Sequence, residues 1–151
     1  MDARRLQMEQ VAPDGYRAVR ALEAYTRRRV DRRLLMLVKV RASILNGCSY
    51  CADLHASEAL STGEDVRRLM GVATYSASPL FTADEKTALA LTDAVTSLDR
   101  CGVPDDLWAE AVAAFGDEGT ADLVLAIAAI NVWNRVAVST GMTPPVAASS
   151  R

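Results

Sequence analysis

Apolar residues recur along this chain at intervals of three and four, and no convincing run shows the two-residue alternation of a half-buried strand. After Pro13-Asp14-Gly15, Val19, Leu22 and Tyr25 or Thr26 fall on one side of a helix. A second helix from about Arg32 carries Leu34, Leu35, Leu37, Val38 and Leu45, and Asn46-Gly47 ends it, because these residues tolerate the left-handed backbone of a helix C-terminus. The next runs from Cys48 to about Ser61, and another from Glu64 to about Ser76, closed by Ser78-Pro79. Thr82 followed three positions on by Glu85 matches a capping box and opens a helix through Leu98. Pro104 suits the first turn of a helix ending near Gly116. Gly119-Thr120 begins a long one to about Thr140, stopped by Gly141 and Pro144-Pro145. The reading is a single all-α domain of about six or seven helices over residues 13–142, with loose ends at 1–12 and 143–151.

Composition narrows the setting. A length of 151 residues, half of them hydrophobic, is enough for one real core. Seventeen basic against nineteen acidic side chains leave a formal charge of −2, so nothing holds a phosphate backbone and nucleic-acid binding is not expected. The cluster Arg27-Arg28-Arg29 with Arg32 and Arg33 reads as a solvated helix face. The start Met1-Asp2-Ala3-Arg4-Arg5 leads into polar sequence, and the apolar stretch Leu123–Ile130 is far short of the ~20 residues that span a bilayer. The expectation is a cytoplasmic protein without membrane partners. Three cysteines are too few and odd in number for a secreted disulfide scaffold.

Chemistry concentrates in Asn46-Gly47-Cys48-Ser49-Tyr50-Cys51-Ala52-Asp53-Leu54-His55. Two thiols three residues apart can bridge within one helical turn, and the chain's only histidine follows four residues later. In a helix those spacings put all three side chains on one stripe. An imidazole or a helix N-terminus lowers a thiol pKa from about 8.5, which is what thiolate chemistry requires. Of the two, Cys51 is the thiol His55 most easily deprotonates, and Cys48, at the helix start, is placed to be exposed and to meet a reductant. A thioredoxin-type site needs a preceding strand, where this chain has a helix. Haem attachment needs histidine directly after the second cysteine, where Ala52 stands. Structural zinc needs a fourth ligand, which only Cys101 could supply. Two buried cysteines beside a satisfied core histidine is the bland alternative.

The stretch Val38-Lys39-Val40-Arg41-Ala42-Ser43-Ile44-Leu45 together with the motif through His55 closely resembles the core of the alkylhydroperoxidase D-like family, in the carboxymuconolactone decarboxylase superfamily. Phe81-Thr82-Ala83-Asp84-Glu85-Lys86-Thr87-Ala88-Leu89-Ala90 and Leu125-Ala126-Ile127-Ala128-Ala129-Ile130-Asn131-Val132-Trp133-Asn134-Arg135 resemble later parts of it in the expected order, so the likeness covers roughly residues 13 to 142. It implies an all-helical homo-oligomer, trimer or hexamer, with peroxiredoxin-type activity through a reversible disulfide. Cys51 matches the peroxide-attacking thiol, Cys48 the resolving thiol and His55 the base. The implied partners are a hydroperoxide and an external dithiol or protein reductant. No metal or organic cofactor is required.

Many members of that family carry a relay glutamate twelve residues before the first cysteine; here that position is Met36, so the relay is incomplete there. Tyr50 stands between the cysteines, where some members have a second histidine. Glu58, three residues past His55, is placed either to orient the imidazole or to serve as a surface carboxylate. Trp133 reads as core or subunit contact, Asn131, Asn134 and Arg135 as partners for buried backbone or interface groups, and Cys101 as a loop thiol. Two other functions compete: a decarboxylase-type enzyme, whose relatives lack the cysteine pair, and a non-enzymatic helical oligomer with a redox-sensing or metal-binding dithiol.

Overall fold

A computed structural model of the protein describes residues 5–98 and 101–146, and every regular element among the described residues is helical, without strands. Helix α1 spans Met8–Val11, α2 Pro13–Arg29, α3 Arg32–Leu45 and α4 Ser49–Ser61. Then come α5, Val66–Gly71, a 3₁₀ segment over Val72–Ala77, α6, Ala83–Thr96, and α7, Asp105–Thr140. Helix α3 is the axis of the packing, in contact with α4, α6 and α7, while α2 lies along α7. Leu35 to Val40, Ala42 and Ser43 are all buried, so α3 is enclosed on nearly every side. A helix so enclosed has no polar face, and that makes Lys39 within it conspicuous.

Local signals in the sequence correspond to observed caps. Asp31 accepts the Leu34 N–H (3.0 Å) at the start of α3. Both halves of the Thr82–Glu85 box are made: Thr82 Oγ1 accepts the Glu85 N–H (3.2 Å), and Glu85 accepts the Thr82 N–H (2.8 Å). Gly47 turns the chain after α3 at φ 63°, a conformation that side chains with a Cβ rarely adopt. The two predicted C-terminal helices form one long element interrupted at Gly116 (φ 70°, ψ 173°). The segment expected as one helix to Ser76 tightens into the 3₁₀ segment after Gly71. Helix α7 is long and apolar enough to cross a membrane, but half of its apolar window is buried inside the protein, as in a core helix. Its Asp122 and Asn134 are also buried and hydrogen-bonded to other helices.

The N-terminal end corrects an expectation. Residues 5–12 are not loose: the Arg5 N–H donates to the Thr140 carbonyl (2.7 Å), its guanidinium donates to the Ser139 carbonyl (3.2 Å), and α1 follows. The strap is tied to the end of α7 by backbone groups, which periodicity cannot report. Thr143–Val146 has no regular structure; 1–4 and 147–151 lie outside the described residues.

Candidate active site

The turn carrying Cys48 is held by amide side chains. Asn46 Nδ2 donates to Asn131 Oδ1 (3.0 Å) and to Asn134 Oδ1 (2.9 Å), pinning the end of α3 to α7. Asn134 in turn donates to Ser43 Oγ (3.0 Å), and Asn131 to the Ile127 carbonyl and Thr96 Oγ1. These asparagines mainly satisfy one another and neighbouring side chains; Asn131 alone also reaches backbone. Cys48 then sits at the N-cap of α4, where its Sγ accepts the Cys51 N–H (3.3 Å). The two cysteines are joined in a disulfide with Cα atoms 5.4 Å apart, inside the ordinary range.

The expected exposure of Cys48 is not found. Cys48 and Cys51 are both buried, at 2% and 3% exposure, against Ala137, Tyr50 and Met142. Cys48 does not line the neighbouring cleft of about 610 Å³, while Cys51, three residues on, faces it. Leu54, Trp133, Val136 and Met142 give that cleft apolar walls, the strap residues Leu6–Gln10 line it as well, and Glu23, Arg27 and His55 are among its polar groups. Trp133 therefore belongs to the cleft wall, edge-on to Tyr16 with ring centroids 5.1 Å apart, and not merely to the core. Tyr50 lines the cleft beside Cys51.

His55 is 5% exposed, and burial pushes its pKa down to about 4, with the nearby Lys39 charge acting in the same direction. The imidazole is neutral at pH 7, with a lone pair free to accept a proton, and the downward shift makes it a weaker base than an ordinary histidine. Its Nδ1 lies 3.5 Å from Glu58 Oε2, too long for a good hydrogen bond. Glu58 is no free surface carboxylate: Arg27 donates to both its oxygens (2.5 and 3.0 Å) and, with His55 and Lys39 adding to the effect, holds its pKa near 2. Nor are the arginines simply a solvated face. Arg27 reaches Glu23 and Glu58, Arg29 reaches Asp122 and Glu118, and Arg33 reaches Glu64. The reason is largely tertiary: Glu58 on α4 and Glu118 and Asp122 on α7 face α2, and Glu64, just before α5, meets Arg33 of α3.

Three groups at the site escaped sequence reasoning: Glu23, Arg27 and Lys39. Lys39 is fully buried, donates from Nζ to Glu23 Oε1, and has its pKa lowered by burial, with Glu23 opposing. Burial raises the Glu23 pKa, but Lys39 and Arg27 outweigh it and the net shift is downward. A lone lysine in the apolar run Leu34–Val40 was the available signal for this cluster. Met36 is 1% exposed in the core and lines a separate hollow with Arg32, Arg33 and Glu64. Among the described residues no group of three or more His, Cys, Asp and Glu is arranged to hold a metal, and Cys101 is exposed at the turn before α7.

This helical core with its cysteine pair has known relatives. Residues 12–94, more than half of the chain, match the carboxymuconolactone decarboxylase family. The chain belongs to that family. Within the carboxymuconolactone decarboxylase family it is alkylhydroperoxidase D-like. It is similar to a crystal structure of a protein of unknown function from Agrobacterium tumefaciens, described as a candidate antioxidant-defence protein AhpD. That similarity has a TM-score of 0.91 and 36% identity, covering 95% of this chain and 99% of the other. The uncharacterized protein YdfG of Bacillus subtilis is 32% identical over 140 residues, 92% of this chain and 95% of the relative.

Proposed function

We propose that the protein is a dithiol peroxidase that reduces hydroperoxides through the Cys48–Cys51 pair. The observation that carries this reading is that Cys51, and not Cys48, lines the cleft together with a buried neutral His55. His55 takes the Cys51 proton, and the thiolate attacks the distal peroxide oxygen. An S–O bond forms, the O–O bond breaks, and the electron pair leaves with the alkoxide, which takes a proton from the imidazolium. Cys48 then attacks the sulfenic sulfur, closing the disulfide and releasing water. The apolar walls favour a hydroperoxide with an apolar substituent. An external dithiol entering the cleft attacks the Cys51 sulfur and displaces Cys48 as thiolate, which the N-terminus of α4 stabilises. This reverses the expectation that the reductant meets Cys48.

The same proposal includes assembly into trimers or hexamers, supported by exposed large apolar side chains such as Ile44, Leu45, Leu125 and Val132. Light scattering should give at least three times the 16.2 kDa chain mass, and a clean monomer would remove this part. For the chemistry, the reduced protein is treated with cumene hydroperoxide. The peptide carrying both cysteines should lose two hydrogens by mass spectrometry, and Cys51→Ser should abolish hydroperoxide consumption. Thiols that stay freely alkylatable would overturn the reading.

A further inference from the structure

The inference below rests on the peroxidase reading and concerns how the site holds its substrate. Three buried side-chain polar atoms among the described residues lack a hydrogen-bond partner: Glu23 Oε2, His55 Nδ1 and Thr120 Oγ1. Two of them belong to residues that line the cleft beside Cys51. A buried acceptor without a donor costs about 1–3 kcal/mol, so such atoms call for an explanation. Glu23 Oε1 already accepts from Lys39 Nζ and Arg27 Nε (2.7 Å), which keep the carboxylate ionised and fix its orientation. Oε2 is the part left over, and an ionised carboxylate oxygen can only accept. Glu23 lines the cleft, so an O–H or N–H donor bound at that wall can complete it. Glu58 does not compete for this role, because Arg27 occupies both its oxygens and it does not line the cleft.

We propose that Glu23 is a catalytic residue of the site: its Oε2 accepts the O–H of the bound hydroperoxide and so aims the distal oxygen at the Cys51 sulfur. The hydrogen stays on the distal oxygen as the S–O bond forms, so the product is the sulfenic acid, still held by Glu23. The departing alkoxide takes the proton that His55 received from Cys51. When Cys48 condenses, its own proton leaves with the hydroxyl as water, and atoms and charge balance. Helix α2 thus supplies the carboxylate that α3, with Met36, does not. The charged groups around the reaction are Glu23 and Arg27 on α2, Lys39 on α3 and Glu58 on α4, with Glu9 and Arg20 paired at 3.7 Å on the cleft wall.

The test is the second-order rate of Cys51 oxidation by cumene hydroperoxide, against pH, in the parent protein, Glu23→Gln, Glu23→Asp and the double variant Glu23→Gln/Lys39→Met. Glu23→Gln should fall about 100-fold, the scale of a lost substrate-orienting contact, and Glu23→Asp should recover part of that loss. The double variant keeps the buried charges balanced, so it addresses folding separately, and its rate should stay as low as that of Glu23→Gln. Recovery of the parent rate in the double variant would make Glu23 only the counter-ion of Lys39 and overturn the proposal. So would a parent-like rate and pH profile in Glu23→Gln. If the parent protein itself reacts no faster than free cysteine, the peroxidase reading falls instead, and the two failures are distinct.

Discussion

Among the charge networks that join helices in the described residues, two differ in one respect. In the first, Glu64 accepts from Arg33 (2.7 and 3.1 Å), Arg68 (2.9 Å) and the Asp65 N–H (2.8 Å). Glu85 accepts from Arg68 (2.5 and 3.2 Å) and the Thr82 N–H (2.8 Å), so all four carboxylate oxygens are used. Burial pushes the Glu64 pKa up, yet these donors hold it near 2. In the second network, Glu23, Arg27, Lys39, Glu58 and His55 join α2, α3 and α4, but Glu23 Oε2 and His55 Nδ1 remain without partners. The first network is a finished clamp, while the second keeps bonding capacity at a cleft wall beside a disulfide. Unspent capacity, not the number of charges, separates a site from a brace.

The largest expected effect breaks the comparison directly. Lys39→Met leaves Glu23 buried with Arg27 as its sole cation and should cost about 3–5 kcal/mol in denaturant unfolding. Arg33→Met removes a half-exposed partner of the finished clamp and should cost about 1 kcal/mol or less. Equal losses would erase the distinction between the networks.

Acid stability comes next. The His55 pKa is about 4 in the fold against an ordinary value near 6.5, so between those values the unfolded chain binds a proton that the folded one does not. Stability should be unaffected by this group above about pH 6.5 and should fall by about 3 kcal/mol as pH drops to about 4. Glu64, depressed to about 2, weakens the clamp only below its ordinary value near 4.5. Unfolding free energies over this range should lose the upper limb in His55→Gln and keep it in Arg33→Met.

A smaller effect is readable because the chain has one histidine. Opening the disulfide in the presence of base puts a thiolate near His55, so the NMR titration midpoint of His55 should rise on reduction, by about one unit for a nearby opposite charge. An unchanged midpoint would place Cys51 outside electrostatic reach of the imidazole. The smallest change is expected from Met36→Glu. Position 36 opens on another hollow, so the variant should bring no gain in hydroperoxide rate, and a clear gain would reinstate the relay position of the family.

Local rules carried the sequence reading a long way, and its failures are specific. The capping box at Thr82, the turn at Gly47 and the interruption at Gly116 depend on groups within four residues of one another, so the chain alone determined them. The Cys48–Cys51 spacing with His55 one turn on belongs to the same class. The rest depended on which helices lie side by side. Glu23 and Arg27 line one cleft with His55 only because α2 docks along the bundle, and Lys39 is intelligible only once its partner stands 16 positions away in sequence. Burial of Cys48 follows from α7 passing over the α4 N-terminus, and the N-terminal strap from backbone bonds that any residue types could make. Helices and caps form through contacts within one turn. The donors and acceptors of the cleft were assigned by long-range packing, where sequence distance carries no information about spatial distance.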